Sequence, residues 1–366
     1  MIPYVEIRDK YALEALTPIE PQECWFELSY QDVGEFEIYC KASPANLRAL
    51  QKGRYVTIPN KRFIWVITSV RYTFTAGGAR MILAKGYEAK WLLHKRCILT
   101  PKELQGNITR AVYELVDHAL GTGASAARTI SDNKGNNKFF VDTDSLIMDL
   151  ISTTQAPRGN LLEFVNHLLK QYDCGSIVEF VDGVLKYRIF KGSFKQGVRF
   201  SQSLDNLLSS EYLTDDANKG TYALVVSKVE TEQEDGNKKD VEYSKEYNNG
   251  ATGVDRAEIF TESNLSTKYE DANGEEKETA PESALYQGWL LEEAKNKLID
   301  HITTEEINGE IDITNSMYVF DKDFFIGDTV RIQDDIFNFF ANSTISKYTF
   351  KQDANSYGEE AEYGGK

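Results

Sequence analysis

The sequence predicts a mainly β fold with an α+β insertion, in which two related antiparallel β-barrels of a tube-like kind flank an α/β module. Three observations predict it. Residues 1–98 alternate apolar and polar side chains in short runs such as Glu35–Cys40, which is typical of half-buried strands. Residues 99–200 change to the period of amphipathic helices. A strand–turn–strand pattern that begins at Gly53 recurs at Gly327.

The first barrel is expected over residues 1–98. A chain of 366 residues is long enough for about two to four domains, each with its own core. Short strands separated by turn residues, such as Asp32-Val33-Gly34, predict a small barrel in this part of the chain. One short helix is expected from Ser43 to Leu50, because a serine followed by a proline is typical of a helix start.

The α/β module is expected over residues 99–200. Ile108–Leu120 and Asn160–Tyr172 each carry apolar residues at helical spacing, so each is expected to bury one face. Strand-like runs lie on both sides of Asp182-Gly183, a pair of residues that favours a type I′ turn. The module is therefore expected to contain two helices and a β-hairpin.

The second barrel is expected to be discontinuous, with strands from residues 201–254 and 309–352. The residues between these segments, 255–308, are expected to form an insertion that contains an amphipathic helix over 284–303. Residues 353–366 are expected to form a C-terminal tail.

The charge of the chain is unevenly distributed. The net charge is −16, yet residues 1–100 carry 14 Lys and Arg against 10 acidic residues, so the acidity lies in the rest of the chain. From Glu230 to Glu282 there are 16 acidic and 6 basic residues, which predicts a long exposed loop or an extended hairpin with disordered tips, such as 234–237 and 271–274. An acidic surface repels the phosphate backbone, so adhesive nucleic-acid binding is excluded as a function class.

The repeated pattern is Gly-x-x-Val-x-Ile, at Gly53–Ile58 and again at Gly327–Ile332. Each copy continues through an aromatic-rich run to a similar end, and the matched pairs are Phe63–Val66 with Phe337–Phe340 and Arg71–Phe74 with Lys347–Phe350. From Gly to Tyr there are 19 residues in the first copy and 21 in the second, a difference that a longer hairpin turn absorbs. The pattern indicates an internal duplication; the alternative is that two unrelated hairpins look alike.

These motifs occur in a fixed order along nearly the whole chain. Gly86–Leu93 and then Lys95–Ile98 follow the first copy of the repeat, and Ile345–Phe350 follows Gly327–Ile332. In this order the sequence resembles the tail hub proteins of long-tailed phages, a family that includes baseplate hubs and the N-terminal modules of tail-associated lysins.

The resemblance implies a structural, non-enzymatic role. In that family three copies form a ring, and the six similar barrels match the sixfold symmetry of the tail tube above. The ring closes the tube at the distal end of the tail in the virion and anchors the tip components. The implied partners are two further copies of the chain, the distal tail protein or tail tube, the tape measure protein, and tip-fibre or receptor-binding subunits. DNA is expected to pass through the channel without specific binding.

No catalytic residue, metal site or cofactor is expected. Asp173-Cys174-Gly175-Ser176 is similar to the Asp-Cys-Ser-Gly run of peptidoglycan cysteine peptidases, but the order after the cysteine is reversed. A strand is expected to follow it, so the thiol would lack the helix N-terminus that lowers a cysteine pKa. Cys174 is therefore expected to be a small buried residue after a helix end. The histidines show no paired metal spacing; they are His94, His118, His167 and His301.

The place of synthesis is expected to be the host cytoplasm. The start of the chain, Met1–Glu6, lacks the basic and apolar segments of a signal peptide, and no apolar run is long enough to span a membrane. Isolated cysteines fit reduced thiols in such a compartment; these are Cys24, Cys40, Cys97 and Cys174.

Two other functions remain open from the sequence. One is a tail-associated peptidoglycan hydrolase, which zymography on host cell walls would reveal. The other is a carbohydrate-binding receptor protein, because 20 tyrosines and 19 phenylalanines could stack on sugars. Binding of the isolated chain to a glycan array would distinguish the receptor from the hub.

Overall fold

The computed structural model describes residues 2–74, 80–143, 147, 153–232, 238–299, 301, 304–314, 316–334 and 339–364. In this part of the chain strands predominate and form five sheets, which confirms the mainly β prediction. None of the helices in these residues is long and apolar enough to cross a bilayer.

The first unit of the fold is antiparallel. Its elements are β1 (Glu6–Arg8), β2 (Glu23–Ser29), β3 (Glu35–Lys41), α1 (Pro44–Ala49), β4 (Tyr55–Thr57), β5 (Ile64–Phe74) and β6 (Arg80–Glu88). The strands pair in the order β1-β4-β5-β6-β3-β2. Helix α1 begins as expected, because Pro44 occupies its first turn and the Ser43 side chain accepts a hydrogen bond from the amide of Asn46 at 3.0 Å.

The α/β module follows a 3-10 helix over Ala89–Lys95. Its elements are β7 (Cys97–Ile98), β8 (Lys102–Leu104), α2 (Ile108–Leu120), β9 (Phe139–Val141), β10 (Thr154–Ala156), β11 (Gly159–Asn160), α3 (Leu161–Gln171), β12 (Cys174–Val181) and β13 (Val184–Lys191). The apolar faces of α2 and α3 share one core with the sheet β12-β13-β9. Asp182 and Gly183 have φ of 52° and 78°, as a type I′ turn requires, so the expected hairpin is confirmed.

The rest of the chain contains one further α-helix, two short 3-10 helices (Gln202–Leu204 and Gly253–Asp255) and eleven strands among the described residues. The α-helix and the strands are β14 (Phe194–Ser201), β15 (Leu207–Asp215), β16 (Tyr222–Glu232), β17 (Lys238–Asn248), β18 (Glu258–Glu262), β19 (Lys268–Glu270), β20 (Glu276–Glu278), α4 (Ala284–Ile299), β21 (Thr304–Asp312), β22 (Thr329–Asp334), β23 (Phe339–Gln352) and β24 (Tyr357–Tyr363).

Strands β16, β17 and β18 form a sheet of their own, which α4 covers. Buried Trp289 and Leu290 of the helix pack with Ala223 and Val225 of β16. The helix was expected to reach residue 303, and the structure assigns it as far as Ile299. This inserted unit therefore has a separate small core.

The expected boundary at residue 254 falls inside that inserted unit. The sequence assigned β16 and β17 to the second barrel, but β16 pairs with β17 on one edge and with β18 on the other. Of the acidic stretch from Glu230 to Glu282, residues 230–232 and 238–248 belong to the β16–β17 hairpin, which is one of the two expected forms, and the rest of the described stretch contains β18, β19 and β20. The predicted disordered tip at 234–237 lies outside the described residues. The prediction of a disordered tip at 271–274 is wrong, because these residues form the turn between β19 and β20, in which the Gly274 amide donates to Asp271 O at 2.9 Å.

One large sheet joins the two ends of the chain. Its path is β1-β4-β5-β6-β3-β2-β23-β24-β21-β15, with β22 beside β23 and β14 beside β22. Strands β14, β15 and β21 to β24 form the second unit, which meets the first unit where β2 pairs antiparallel with β23. Among the described residues no pairing joins β1 to β15, so the strand path is open there.

The two units have the same strand order. In the first unit it is β4-β5-β6-β3-β2, and in the second it is β22-β23-β24-β21-β15. Taken along the chain, β2 to β6 correspond to β15 and β21 to β24, and the inserted unit lies between β15 and β21. Strand β24 lies within residues 353–366, so the prediction of a C-terminal tail over these residues is wrong. The predicted superposition of the two units stays a prediction, now with a defined strand correspondence.

The repeated glycine has the same backbone surroundings in both units. Gly53 has φ of 83° and donates its amide to Ile67 O at 2.7 Å, and Gly327 has φ of 86° and donates to Ile345 O at 2.7 Å. Each isoleucine amide returns a hydrogen bond to the carbonyl after its glycine, on Arg54 or Asp328. A break in register follows each isoleucine, in β5–β6 and in β23–β24.

This geometry corrects the sequence alignment of the repeat ends. The bonded pairs Gly53–Ile67 and Gly327–Ile345 differ in length by four residues, where the sequence predicted two. Tyr72 consequently corresponds to Phe350 and not to Tyr348. The sequence alignment of the two motif ends failed because the second hairpin is longer by four residues. The aromatic motifs are therefore offset by two residues, which is one period of side-chain alternation along a strand.

Candidate functional surface of the large sheet

The large sheet has one apolar and one polar face where its two units meet. At β4 and the start of β5 both faces are buried, because Tyr55, Ile64 and Val66 pack into the core of the α/β module. On β2, Phe26 and Leu28 point into the core and Glu27 points away from it. On β23, Tyr348 and Phe350 are completely buried in the same core. The alternation of both strands therefore leaves a polar face that runs across the junction of the two units.

Ion pairs cross this polar face from strand to strand. Lys347 Nζ lies 3.5 Å from Glu27 Oε2 of the first unit and 3.6 Å from Glu362 Oε2 of the second. Partial burial raises the pKa of Glu27, and the Lys347 ammonium opposes that rise. The shared lysine connects carboxylates of both units. Two further pairs on the same face are Lys85–Glu37 and Lys351–Glu360.

Acidic residues of the second unit also occupy this face. In the pairing of β21 with β24, Glu310 lies opposite Glu362, and their neighbours Ile311 and Ala361 lie opposite each other in the core. Side chains alternate along a strand, so Glu310 and Glu362 point away from the core. The polar face thus carries carboxylates on β21 and β24.

Tyr30 lies where the two units and the α/β module meet. Its hydroxyl donates to Asp173 O at 2.6 Å and accepts from the Gly192 amide at 3.3 Å. Two glycines face the ring, since a Cβ would come within 2.2 Å of the ring at Gly175 and 2.3 Å at Gly327. The glycine of the second repeat is therefore required by its positive φ and by the Tyr30 ring.

A buried lysine provides a second contact between the first unit and the α/β module. Lys90 Nζ donates to Ser29 O at 2.6 Å and to Ser176 O at 3.2 Å. Glu88 Oε1 lies 2.7 Å away as an ion pair, at an angle unsuited to a hydrogen bond. Burial lowers the pKa of Lys90 to about 7.

Two strand edges of the large sheet are exposed at positions that the sequence did not indicate. From Ser69 to Phe74 the outer edge of β5 has no paired strand in the part of the chain that the structure describes, because β4 covers only Ile64–Val66. The outer edge of β15 is equally uncovered among these residues. Large side chains on the two edges are exposed: Tyr72, Phe74, Leu208 and Tyr212.

The residues considered for chemistry lie on separate elements. Cys174 is completely buried at the start of β12, and its thiol donates to Tyr172 O at 3.3 Å, which confirms its expected place as a buried residue after a helix. The expected absence of catalysis stays a prediction. Within the described residues no group of three or more His, Cys, Asp or Glu side chains could hold a metal ion. The four histidines lie in different segments: His94, His118, His167 and His301.

Three solved structures share this fold. The tail protein from Neisseria meningitidis MC58 has a TM-score of 0.57 at 11% identity, over 99% of this chain and 96% of that one. The prophage tail protein gp18 from Listeria monocytogenes EGD-e has a TM-score of 0.51 at 12% identity, over 99% and 94%. The 43 kDa tail protein of prophage MuSo2 from Shewanella oneidensis has a TM-score of 0.51 at 12% identity, over 99% and 97%. At such identities these likenesses show the fold alone.

The sequence comparisons give one family. No curated protein sequence matches the chain. The model of a family described as Siphovirus ReqiPepy6 Gp37-like protein matches residues 6–364, nearly the whole chain. The predicted resemblance is therefore confirmed at the level of family and fold: the chain has the fold of these tail proteins and belongs to the Siphovirus ReqiPepy6 Gp37-like family.

Proposed function

We propose that the chain is a non-enzymatic hub at the distal end of the phage tail. Three copies form a ring that adapts and closes the sixfold tail tube and anchors the tip components. The proposal rests above all on the two units of equal strand order, since three chains with two such units present six similar units around one axis. If successive units in this ring are related by a rotation of about 60°, the ring matches the sixfold symmetry of the tail tube.

The strand pairing supports a division of this hub into four parts. The first tube unit comprises β1 to β6, and the second comprises β14, β15 and β21 to β24. The α/β module and the inserted unit with α4 have cores of their own. We assign these two to contacts outside the tube, where the distal tail protein, the tape measure protein and tip-fibre or receptor-binding subunits are the partners.

The polar face of the large sheet lines the DNA channel in this proposal. The other face is occupied by the shared core, so a ring built from this sheet can expose only its polar face to the lumen. Carboxylates there, among them Glu310 and Glu362, repel the DNA backbone and let it pass without adhering. Assembly takes place in the host cytoplasm, and the mature ring belongs to the virion.

The decisive measurement is the copy number of the chain. Native mass spectrometry of the purified protein, together with cryo-electron microscopy of whole tails, should give three copies in one ring at the distal tip. Six copies or one copy per tail would overturn the proposal. Zymography and glycan-array binding test the alternatives: activity on cell walls would support a hydrolase, and sugar binding would support a receptor protein.

A further inference from the structure

The junction between the two units within one chain defines how a tube unit pairs with its neighbour. Strand β2 of the first unit pairs antiparallel with the C-terminal half of β23 in the second, from Cys24 opposite Gln352 to Ser29 opposite Lys347. The N-terminal half of the same β23 edge pairs with β22. One edge of β23 is therefore shared between its own unit and the next.

Each partner in this junction has a counterpart that no strand covers among the described residues. By strand order β23 corresponds to β5, and β2 corresponds to β15. The N-terminal half of β5 pairs with β4 as β23 pairs with β22, but its C-terminal half, Ser69–Phe74, has no neighbour among the described residues. The outer edge of β15 lacks one too.

The two uncovered edges, of β15 and of residues 69–74 in β5, could pair with each other, and the register of that pairing follows from the correspondence of the two units. Relative to the break after each isoleucine, Ser69 corresponds to Lys347 and Phe74 to Gln352. Relative to β3 and β21, Phe26 of β2 corresponds to Ser210 of β15. Transfer of the β2–β23 register gives these opposite pairs: Leu207 with Phe74, Ser209 with Thr73, Ser210 with Tyr72, Glu211 with Arg71, Tyr212 with Val70 and Leu213 with Ser69.

The side chains brought together in this way are complementary, although the register was derived from backbone pairing alone. Glu211 comes opposite Arg71, and both are exposed in the single chain. Tyr212 comes opposite Val70 and diagonal to Tyr72; the two tyrosines are 64% and 48% exposed. The corresponding residues of the internal junction, Leu28, Tyr348 and Phe350, are fully buried. An apolar contact and an opposite-charge pair thus coincide at one predicted junction.

We infer that β15 of one copy pairs antiparallel with residues 69–74 of β5 in a second copy of this chain, with Glu211 opposite Arg71. This inference rests on the proposed ring and specifies its interface. Each ring of three chains then has three internal β2–β23 junctions and three β15–β5 junctions, and its sheet has no free edge. Exposed strand edges on the single chain become covered on assembly, as edge strands require.

Disulfide trapping tests the register directly. In a Cys97→Ser background, which removes the exposed native thiol, Thr73→Cys and Ser209→Cys are combined in one full-length chain. Their Cβ atoms would lie about 5 Å apart in the inferred register. Mild oxidation should yield covalent dimers and trimers that reduction removes. The matched control combines Thr73→Cys with Glu211→Cys, a diagonal pair about 7 Å apart on the same face, and should yield at least about tenfold less.

Charge reversal provides a second, independent readout. Arg71→Glu or Glu211→Lys alone should weaken trimer formation by about fivefold per junction, and the double reversal should restore it. A trimer that forms without the matched disulfide, or with equal trapping of the diagonal pair, overturns this register and leaves the hub standing. If the chain is monomeric in solution and each tail contains a number of copies other than three, both the inferred register and the proposed hub are wrong.

Discussion

The Tyr30 hydroxyl donates a hydrogen bond of 2.6 Å to the carbonyl of Asp173, across the boundary between the first unit and the α/β module. The Tyr30 ring also packs against Phe190, with 5.4 Å between ring centroids. Three modules of the chain meet at this one side chain, because Gly327 of the second unit faces the same ring.

Removal of this hydroxyl should loosen the junction without disturbing any core. Tyr30→Phe keeps the ring and removes both hydrogen bonds of the hydroxyl, to Asp173 O and from the Gly192 amide, so we expect a loss of about 1 to 2 kcal/mol in the free energy of unfolding, measured by urea denaturation. Tyr11→Phe serves as the control, since Tyr11 is 45% exposed, and should change stability by less than about 0.5 kcal/mol. Equal effects of the two substitutions would contradict the role of Tyr30.

The two repeat glycines allow a matched comparison. Gly53→Ala introduces a left-handed alanine in open space, where the nearest atom is Lys10 Cδ at 3.6 Å, and should cost about 1 to 2 kcal/mol. Gly327→Ala adds the same strain and a clash with the Tyr30 ring, so its cost should be larger by about 1 to 3 kcal/mol. Thermal and urea unfolding of both variants measure the difference. When Gly327→Ala is combined with Tyr30→Ala, the destabilisation caused by the clash with the ring should disappear. The destabilisation caused by the left-handed backbone of the alanine should remain.

The sequence predicted those elements whose signal is local. The helix over Ile108–Leu120 was recognised from its apolar face, and the turn at Asp182-Gly183 from residue types that adopt positive φ. It also located both repeat glycines. It failed where the structure depends on distant pairing: β2 meets β23 across more than about 300 residues, and no local pattern encodes that contact. The same limit explains why β16 and β17 were assigned to the wrong neighbour and why the exposed edges of β5 and β15 escaped notice.

Lys90 should make the stability of the chain depend on pH. Burial lowers its pKa to about 7 in the folded chain, whereas the unfolded lysine keeps its proton up to the ordinary value of 10.5. The unfolded state therefore binds more protons between these values, and the contribution of Lys90 to stability should rise as the pH increases from about 7 to 9.5. Below pH 7 both states are protonated and the contribution is flat.

The measurement compares urea unfolding of the wild type with that of Lys90→Met combined with Glu88→Gln, so that no lone buried charge remains. The difference in unfolding free energy should grow in favour of the wild type from pH 7 to pH 9.5. A difference that stays constant over this range would mean that Lys90 keeps its proton through its contacts with Glu88, Ser29 O and Ser176 O.

Cys174 should be dispensable for infection. The thiol is completely buried and lies at the start of a strand, so a nucleophilic role has no structural support from a helix N-terminus. Cys174→Ala should cost about 1 kcal/mol in packing and leave particle assembly and plaque formation intact. Normal particles that fail to infect would instead revive the peptidase hypothesis.

The acidic residues of the polar face should control how freely DNA leaves the tail. In the proposed ring, Glu310 and Glu362 face the channel, and the acids of Glu230–Glu282 that the structure describes lie outside the large sheet. Neutralisation of the channel acids leaves Lys347 without its partner Glu362 and lowers the repulsion of the phosphate backbone. Glu310→Gln combined with Glu362→Gln should therefore slow DNA ejection at low salt.

Salt dependence separates this effect from a structural defect. Electrostatic attraction between DNA and the channel is screened at high ionic strength, so ejection by the variant should recover wild-type speed as salt is added. The control neutralises two exposed acids of β20, which lies outside the large sheet, as Glu276→Gln with Glu278→Gln, and should leave ejection unchanged at every salt concentration. If the control slows ejection equally, or if the channel variant stays slow at high salt, the polar face does not line the DNA path.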